Sequence, residues 1–516
     1  MPLVLDPLAE GPLPHALQAY DFGMMLADDG GASPVVYPMA VRGEITFPTQ
    51  GDGPFPVVLL MHGRHGTCKV LGFELLGAYA CPNAVVMTPV DSFTGYRYLA
   101  GNLASHGYVV ASIDANHVNE RDQALLLGAG DYGATARAQL VLRTLDMLAR
   151  INATGTAGDA ALGPQELPLK GKLDLSRVGL MGHSRGGEGV ARGVTLHAEA
   201  GAPHGIKAVF ALAPTDFARW PIPGVAFATI LPYCDGDVYN LQGAWLYDDA
   251  RAAGNEHPLY QVVARGANHN WYNTVWTGDD WGFRQDPWCN VGVGESGRDS
   301  TQSQQAHGLA VMASFLRMHV GDEDGFAPFW TGEVPFPPAV CPDHGSCVGR
   351  LLVSRHAAAG HRLDLAGDGF AATRSDSVAA SGCSGRDCSL SPTYSLTPQT
   401  HYEWDEDATI AFSLDSLRRN GLEVVPDVLT FRVATRAPVE VAVALVSGGE
   451  LTPIPMQAWQ AAALDEAPGA QAYKAVLSMV RVDLRDIDLA GATAIELQLA
   501  GAGEMQLADV LLQVEP

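Results

Sequence analysis

The rhythm of apolar and polar positions changes near residue 350. Before it, short and uniformly apolar runs alternate with segments of helical period. Pro56-Val-Val-Leu-Leu-Met61 and Tyr108-Val-Val-Ala-Ser-Ile-Asp114 are too continuously apolar to face water, so they predict strands covered on both faces. Ala134, Ala138, Val141, Leu145 and Leu148 recur at helical spacing and predict a long helix, and Tyr98 to Ser105 predicts a short one. Val35 to Phe47 reads as one or two early strands. Further strands are expected over Arg177 to Gly182, Ala208 to Ala213, Ala226 to Leu231 and Tyr260 to Ala264, with a closing helix over Gln302 to His319. Strands alternating with helices predict an α/β fold, a mostly parallel sheet flanked by helices, over residues 1–325.

Residues 326–350 carry Pro335, Pro337, Pro338 and Pro342 among Gly and Asp, and are expected to be a linker. In residues 351–516 the helical period fades. Leu429, Phe431 and Val433 alternate with Thr430 and Arg432, and Ile495, Leu497 and Leu499 with Glu496 and Gln498. Alternation of this kind between Gly, Pro and Asp turns predicts an all-β sandwich.

At 516 residues the chain exceeds what one hydrophobic core supports, in keeping with this division. The net charge of −25 argues against nucleic acid and anionic membrane surfaces as partners, and favours neutral or apolar small molecules. No apolar run approaches the roughly 18 residues that span a bilayer. The eight cysteines lie at 68, 81, 234, 289, 341, 347, 383 and 388, with no Cys-x-x-Cys pair. An even count and close pairs such as Cys341/Cys347 and Cys383/Cys388 predict disulfides, and hence a secreted or periplasmic protein. A Cys234–Cys289 bridge would tie two of the loops discussed next. The amino terminus shows no signal-peptide pattern, so this localisation rests on the cysteines. No metal is expected, because Asp322-Glu-Asp324 and Asp405-Glu-Asp407 lack a cation-loop spacing.

Candidate chemistry centres on Gly182-His183-Ser184-Arg185-Gly186. A predicted strand runs straight into it and helix-compatible sequence follows. Such a turn strains the serine backbone and presents its hydroxyl at the carboxyl edge of the sheet. A serine hydroxyl needs a histidine to take its proton, and that histidine needs an acid to fix its tautomer. His269 follows the last strand of the unit. Asp235 and Asp237 follow the strand before it; Asp237 is preferred as the acid because it lies further past the strand, with Asp235 as the alternative that caps the turn. The backbone N–H groups of Arg185 and of Arg64, in His62-Gly63-Arg64-His65-Gly66, are the candidate oxyanion donors.

With these motifs in hand, residues 35 to 320 resemble the α/β-hydrolase superfamily. They are most similar to secreted bacterial esterases of the cutinase-like, lipase and dienelactone-hydrolase-related groups. The resemblance rests on His62-Gly63, the Gly182 to Gly187 elbow, Asp237 and His269. It implies carboxylic-ester hydrolysis through an acyl-enzyme, possible on polyesters, without a cofactor. Cutinase-like polyester hydrolases generally carry Met after the serine, where this chain has Arg185. The competing readings are an amidase or peptidase with the same triad, and a surface-binding protein with a vestigial hydrolase domain. Residues 350 to 516 resemble, more loosely, jelly-roll modules of the galactose-binding-like class, which makes a glycan or polymer a candidate ligand there. Trp271, Trp276, Trp281 and Trp288 crowd the segment after His269. Trp271 and Trp276, with His62 and His183, are the expected substrate-binding side chains; the alternative is a loop packing its own aromatics.

Overall fold

The structure is a computed structural model. It describes all residues except 1–3, 29, 31–34, 76, 79, 83, 122–130, 160, 283–285, 287, 295–296, 367–371, 384–394, 415–424, 466–473 and 516.

Nine strands form the large sheet: β1 (His15–Asp28), β2 (Val36–Pro48), β3 (Phe55–Met61), β4 (Val109–Ile113), β5 (Leu173–His183), β6 (Ile206–Leu212), β7 (Ala226–Pro232), β8 (Leu259–Ala264) and β9 (Leu351–His356). Their spatial order is β1-β2-β4-β3-β5-β6-β7-β8-β9. The pairs from β4 through β8 are parallel, and β1, β2 and β9 add antiparallel edges. Five longer helices accompany it: α1 (Arg97–Ser105), α2 (Ala134–Thr154), α3 (Arg185–Glu199), α4 (Gly243–Ala252) and α5 (Thr301–Gly321).

The apolar runs of the central strands have a simple cause. Val57, Leu59 and Met61 of β3 join the core under α2 and α3, while Val58 and Leu60 join the core under α1 and α5. Successive side chains point to opposite faces, and both faces are covered. The strand His15–Asp28 has no counterpart among the expected elements. Its exposed residues alternate with half-buried ones, a weak pattern suited to a sheet edge.

The stretch 326–350 is packed rather than extended, which corrects the linker expectation. Phe326, Phe329, Trp330, Phe336 and Val340 join the core beneath α5, and Cys341 and Cys347 are bonded there. The prolines make tight turns, as at Pro338–Val340, and the aromatics between them bury. The first unit therefore continues through β9, which pairs antiparallel with β8.

Beyond it lie two antiparallel sheets. One contains Val378–Cys383, Gln399–Trp404, Gly503–Gln513, Val428–Ala434 and Ser478–Asp483 in that spatial order, with Arg362–Asp364 beside Gly503–Gln513. The other contains Thr373–Arg374, Ala408–Ser413, Ala492–Leu499, Val441–Ser447 and Glu450–Ile454. One apolar cluster takes Phe431, Val480 and Leu512 from the first sheet and Ile410, Ile495 and Leu497 from the second. The α/β unit is thus joined to a β unit of two packed layers.

The polar positions of the strand Val428–Ala434 do not face water. Thr430 and Arg432 are buried against the α/β unit. The Arg432 guanidinium lies 2.8 Å from Asp248 of α4 and 3.0 Å from Asp509. Nearby, Gln261 of β8 donates to the Leu477 carbonyl at 2.8 Å, and the Met479 N–H donates to Ser354 Oγ of β9 at 3.0 Å.

Candidate active site

β5 ends at His183 and α3 begins at Arg185, leaving Ser184 alone to turn the chain. Its φ of 57° and ψ of −125° lie where side-chain-bearing residues are strained. The turn closes only because its neighbours lack side chains. A Cβ on Gly182 would strike the Gly186 carbonyl, and one on Gly186 would strike the carbonyl of Met61. A Cβ on Gly63 would overlap that of Ser184 and stand 3.1 Å from Ser184 Oγ. The loop after β3 is therefore pressed against the serine. Ser184 opens on a cleft of about 200 Å³ lined also by Arg64, Arg185, Thr215, Phe217, Asp237, Val238, Asn240 and Gln242.

His269 follows β8 and is buried. Its Nδ1 lies 2.7 Å from Oδ2 of Asp235, itself fully buried. The Asp237 carboxylate is two-thirds exposed and stands 3.8 Å from Nε2, the opposite side of the ring. Of the two carboxylates, the structure brings Asp235, and not the Asp237 preferred from the sequence, to Nδ1 of His269. Asp235 also makes the turn for which it was the alternative. Its Oδ1 accepts from the N–H groups of Asp237, at 2.9 Å, and Val238, at 2.6 Å, leaving Oδ2 for the imidazole. Among the described residues Nε2 is buried without a hydrogen-bond partner, and it faces Asp237, whose side chain also lines the cleft; His269 itself does not border the cleft. Burial alone would lower the His269 pKa, but the contact with Asp235, with Asp237 and Asp280 further off, raises it to about 9.

Asp280 was not singled out in the sequence, yet it joins the two loops. Its Oδ2 accepts from the N–H of Gly236 at 2.7 Å and of His269 at 3.2 Å, and Oδ1 accepts from Asn270 at 2.9 Å. Burial and then the neighbouring Asp235 push its carboxyl up to about 6. Gln304 of α5 grips the same loop, accepting from the Asn268 N–H at 3.0 Å and donating to its carbonyl at 2.7 Å. The Cys234–Cys289 disulfide adds a covalent tie from the acid loop, and Cys68–Cys81 closes a loop past β3. Cys383 is also disulfide-bonded, while Cys388 lies outside the described residues.

The expected substrate-binding side chains lie elsewhere. His62, His183, Trp271 and Trp276 are all buried and none borders the cleft among the described residues. His183 sits beneath His269: its Nε2 donates to the His269 carbonyl at 3.0 Å, so its Nδ1 accepts from Tyr96 Oη at 2.9 Å. Burial, then the nearby His269, hold its pKa well below the usual histidine value, so the ring stays neutral. Trp276 stacks between His65 and His183 at centroid distances of 4.8 and 4.6 Å, with its N–H on Ser92 Oγ at 2.9 Å. The Trp271 N–H reaches the Thr277 carbonyl at 3.3 Å. His62 Nε2 accepts from the Ala115 N–H at 2.8 Å. The aromatics form a packed support under the loop that carries His269. Arg64 and Arg185 do flank Ser184 on the cleft, and the Arg185 guanidinium lies over the rings of Tyr132 and Phe217 at 5.6 and 5.7 Å.

No protein-family profile matches the chain. A bis(hydroxyethyl) terephthalate hydrolase of Streptomyces coelicolor is 31% identical to it over 159 residues, which is 30% of this chain. The matched region spans 39% of that relative's length. The name of that relative describes a hydrolase acting on an ester, bis(hydroxyethyl) terephthalate.

Proposed function

We propose that the chain is a serine carboxylic-ester hydrolase of the α/β-hydrolase type, with Ser184, His269 and Asp235 as its triad. The observation that carries this reading is the buried Asp235–His269 pair, whose Nε2 faces the carboxylate of Asp237, a residue that lines the same cleft as the strained Ser184. Asp235 holds the proton on Nδ1, so Nε2 presents a lone pair. Ser184 Oγ attacks the ester carbonyl as its proton passes to Nε2. The carbonyl π electrons move to oxygen, where the backbone N–H groups of Arg64 and Arg185 are the proposed donors. Collapse breaks the bond to the alcohol oxygen, which leaves with the proton from Nε2. Water then cleaves the acyl-enzyme by the same path reversed, releasing the acid and restoring Ser184.

Ester rather than amide chemistry is favoured by the relative that acts on bis(hydroxyethyl) terephthalate. At about 200 Å³ the cleft is below the usual size of ligand pockets, and Thr215, Asn240 and Gln242 make much of its wall polar. Phe217, beside Arg185, supplies its aromatic surface. We therefore assign small esters with short or single-ring acyl groups as substrates. The disulfides fit an extracellular protein, and secretion is part of this proposal. The test is a panel of p-nitrophenyl esters of rising chain length, bis(hydroxyethyl) terephthalate and peptide amides, run on the wild type and Ser184→Ala. Turnover of the short and aromatic esters, lost in Ser184→Ala, is expected. Equal turnover by Ser184→Ala, or cleavage of amides alone, would overturn the proposal.

A further inference from the structure

Some 30 residues past His269 in sequence, a second group of ionisable side chains meets around the start of α5. Asp299 immediately precedes Ser300, the helix cap, whose side chain accepts from the Ser303 N–H. Asp343 and His344 belong to the short loop closed by the Cys341–Cys347 disulfide. Asp343 grips the cap from the other side, accepting from Ser300 N at 2.6 Å and Ser300 Oγ at 3.0 Å. His344 Nε2 lies 2.8 Å from Asp299 Oδ1. One ligand atom each from Asp299, Asp343 and His344 falls within 4.8 Å of the others. Two metal–ligand bonds of about 2.0–2.2 Å span little more than 4 Å, so a cation between these atoms needs only a small closure.

A second observation points the same way. His307, two turns into α5, is 1% exposed, and both its ring nitrogens are buried without a hydrogen-bond partner. Its Nε2 lies 3.3 Å from Asp299 Oδ2, so the ring is aimed at the cluster without forming a well-aligned hydrogen bond. A buried imidazole left in this way costs stability unless something takes up its lone pair. Two imidazoles with two carboxylates are the ligand set of a zinc-type cation; calcium and magnesium prefer all-oxygen shells.

We infer that Asp299, Asp343 and His344 bind a zinc-type divalent cation, and that His307, which among these three now approaches only Asp299, is drawn in to complete the set. The four residues come from positions 299, 307, 343 and 344, so no sequence spacing announces them. The cation would brace the base loop from behind. The Asp299 N–H donates to the Gly266 carbonyl at 3.0 Å, and a Cβ on Gly266 would stand 3.3 Å from the Asp299 carboxyl carbon. Gly266 is three residues before His269. The site thus joins α5, the disulfide loop and the loop carrying His269 without touching the cleft.

The test uses the full chain with its disulfides intact, stripped with EDTA and titrated calorimetrically with zinc chloride, then with calcium chloride. About one equivalent of zinc is expected to bind, with calcium at least tenfold weaker, and zinc is expected to raise the thermal midpoint by about 3–6 °C. His344→Ala and, separately, His307→Ala should each weaken zinc binding at least tenfold. Should either variant fold poorly, cobalt substitution of the wild type is the second readout, and visible bands of a four-coordinate site are expected. No zinc uptake, uptake untouched by both variants, calcium binding as tight as zinc, or only six-coordinate cobalt would each overturn the inference. Activity toward esters plays no part in this test, so it stands or falls apart from the function proposed above.

Discussion

Two carboxylates two residues apart stand on opposite sides of the His269 ring. Asp235 is buried on Nδ1, and Asp237 is exposed beyond Nε2. Asp235→Asn should leave a folded protein whose kcat falls about 10³–10⁴-fold, since the amide no longer fixes the tautomer or steadies the imidazolium. Asp237→Asn should keep its plateau kcat. Steady-state kinetics on both variants decide the assignment, and the reverse pattern would restore Asp237. The pH dependence follows from the same geometry. His269 must be neutral to accept the serine proton, and its pKa is raised to about 9. Below that value the base is protonated, so kcat/KM should climb with pH through a midpoint near 9. Asp237 helps to raise this pKa, so Asp237→Asn should move the midpoint to lower pH; an unmoved midpoint would contradict the account. The positions of Ser184 at the turn after β5 and of His269 after β8 were legible in the sequence, because strand-to-helix turns and strand ends are. The choice between Asp235 and Asp237 was not, because it depends on which carboxylate oxygen remains after the turn has taken one.

At the scale of elements, the two long apolar runs and the helical periods located β3, β4 and α2 to within a few residues, because burial on two faces leaves a strong signature. The edge strand β1 was missed because half of its positions face water. The tryptophan-rich segment misled for the opposite reason. Density of aromatics reports burial as readily as binding, and Trp276 is spent on the stack beneath His183. The loop after β3 can lie this close to Ser184 only because Gly63 lacks a side chain. Gly63→Ala should therefore displace either Ser184 or the loop that carries Arg64. A fall in kcat of about 10²-fold or more, with little change in thermal midpoint, is expected from progress curves and calorimetry. Full activity in this variant would mean that the loop has slack which its packing does not show.

Across the whole molecule, the β unit is fastened to the α/β unit through polar groups that its sequence presents as an ordinary solvent face. Arg432 is fully buried between Asp248 and Asp509. Lys474 is buried too, donating from Nζ to the Tyr233 carbonyl at 2.7 Å just before Cys234 and Asp235. The alternation of Thr430 and Arg432 with apolar neighbours announced a strand, but not that its second face meets another unit. Arg432→Ala leaves the buried Asp248 without its cation, while Asp509 keeps Arg251, and should cost about 3–5 kcal/mol of stability. Denaturant unfolding checks this, and a loss below about 1 kcal/mol would show that the two units are not coupled there.

The most direct test of the central claim is to trap the acyl group on the enzyme. The wild type would be mixed rapidly with a slowly deacylated p-nitrophenyl ester, quenched in acid, and its intact mass and peptides measured. The account predicts a burst of p-nitrophenol, an added mass equal to the acyl group on the peptide containing Ser184, and neither signal in Ser184→Ala. An acyl adduct on another residue, or unchanged turnover in Ser184→Ala, would contradict it.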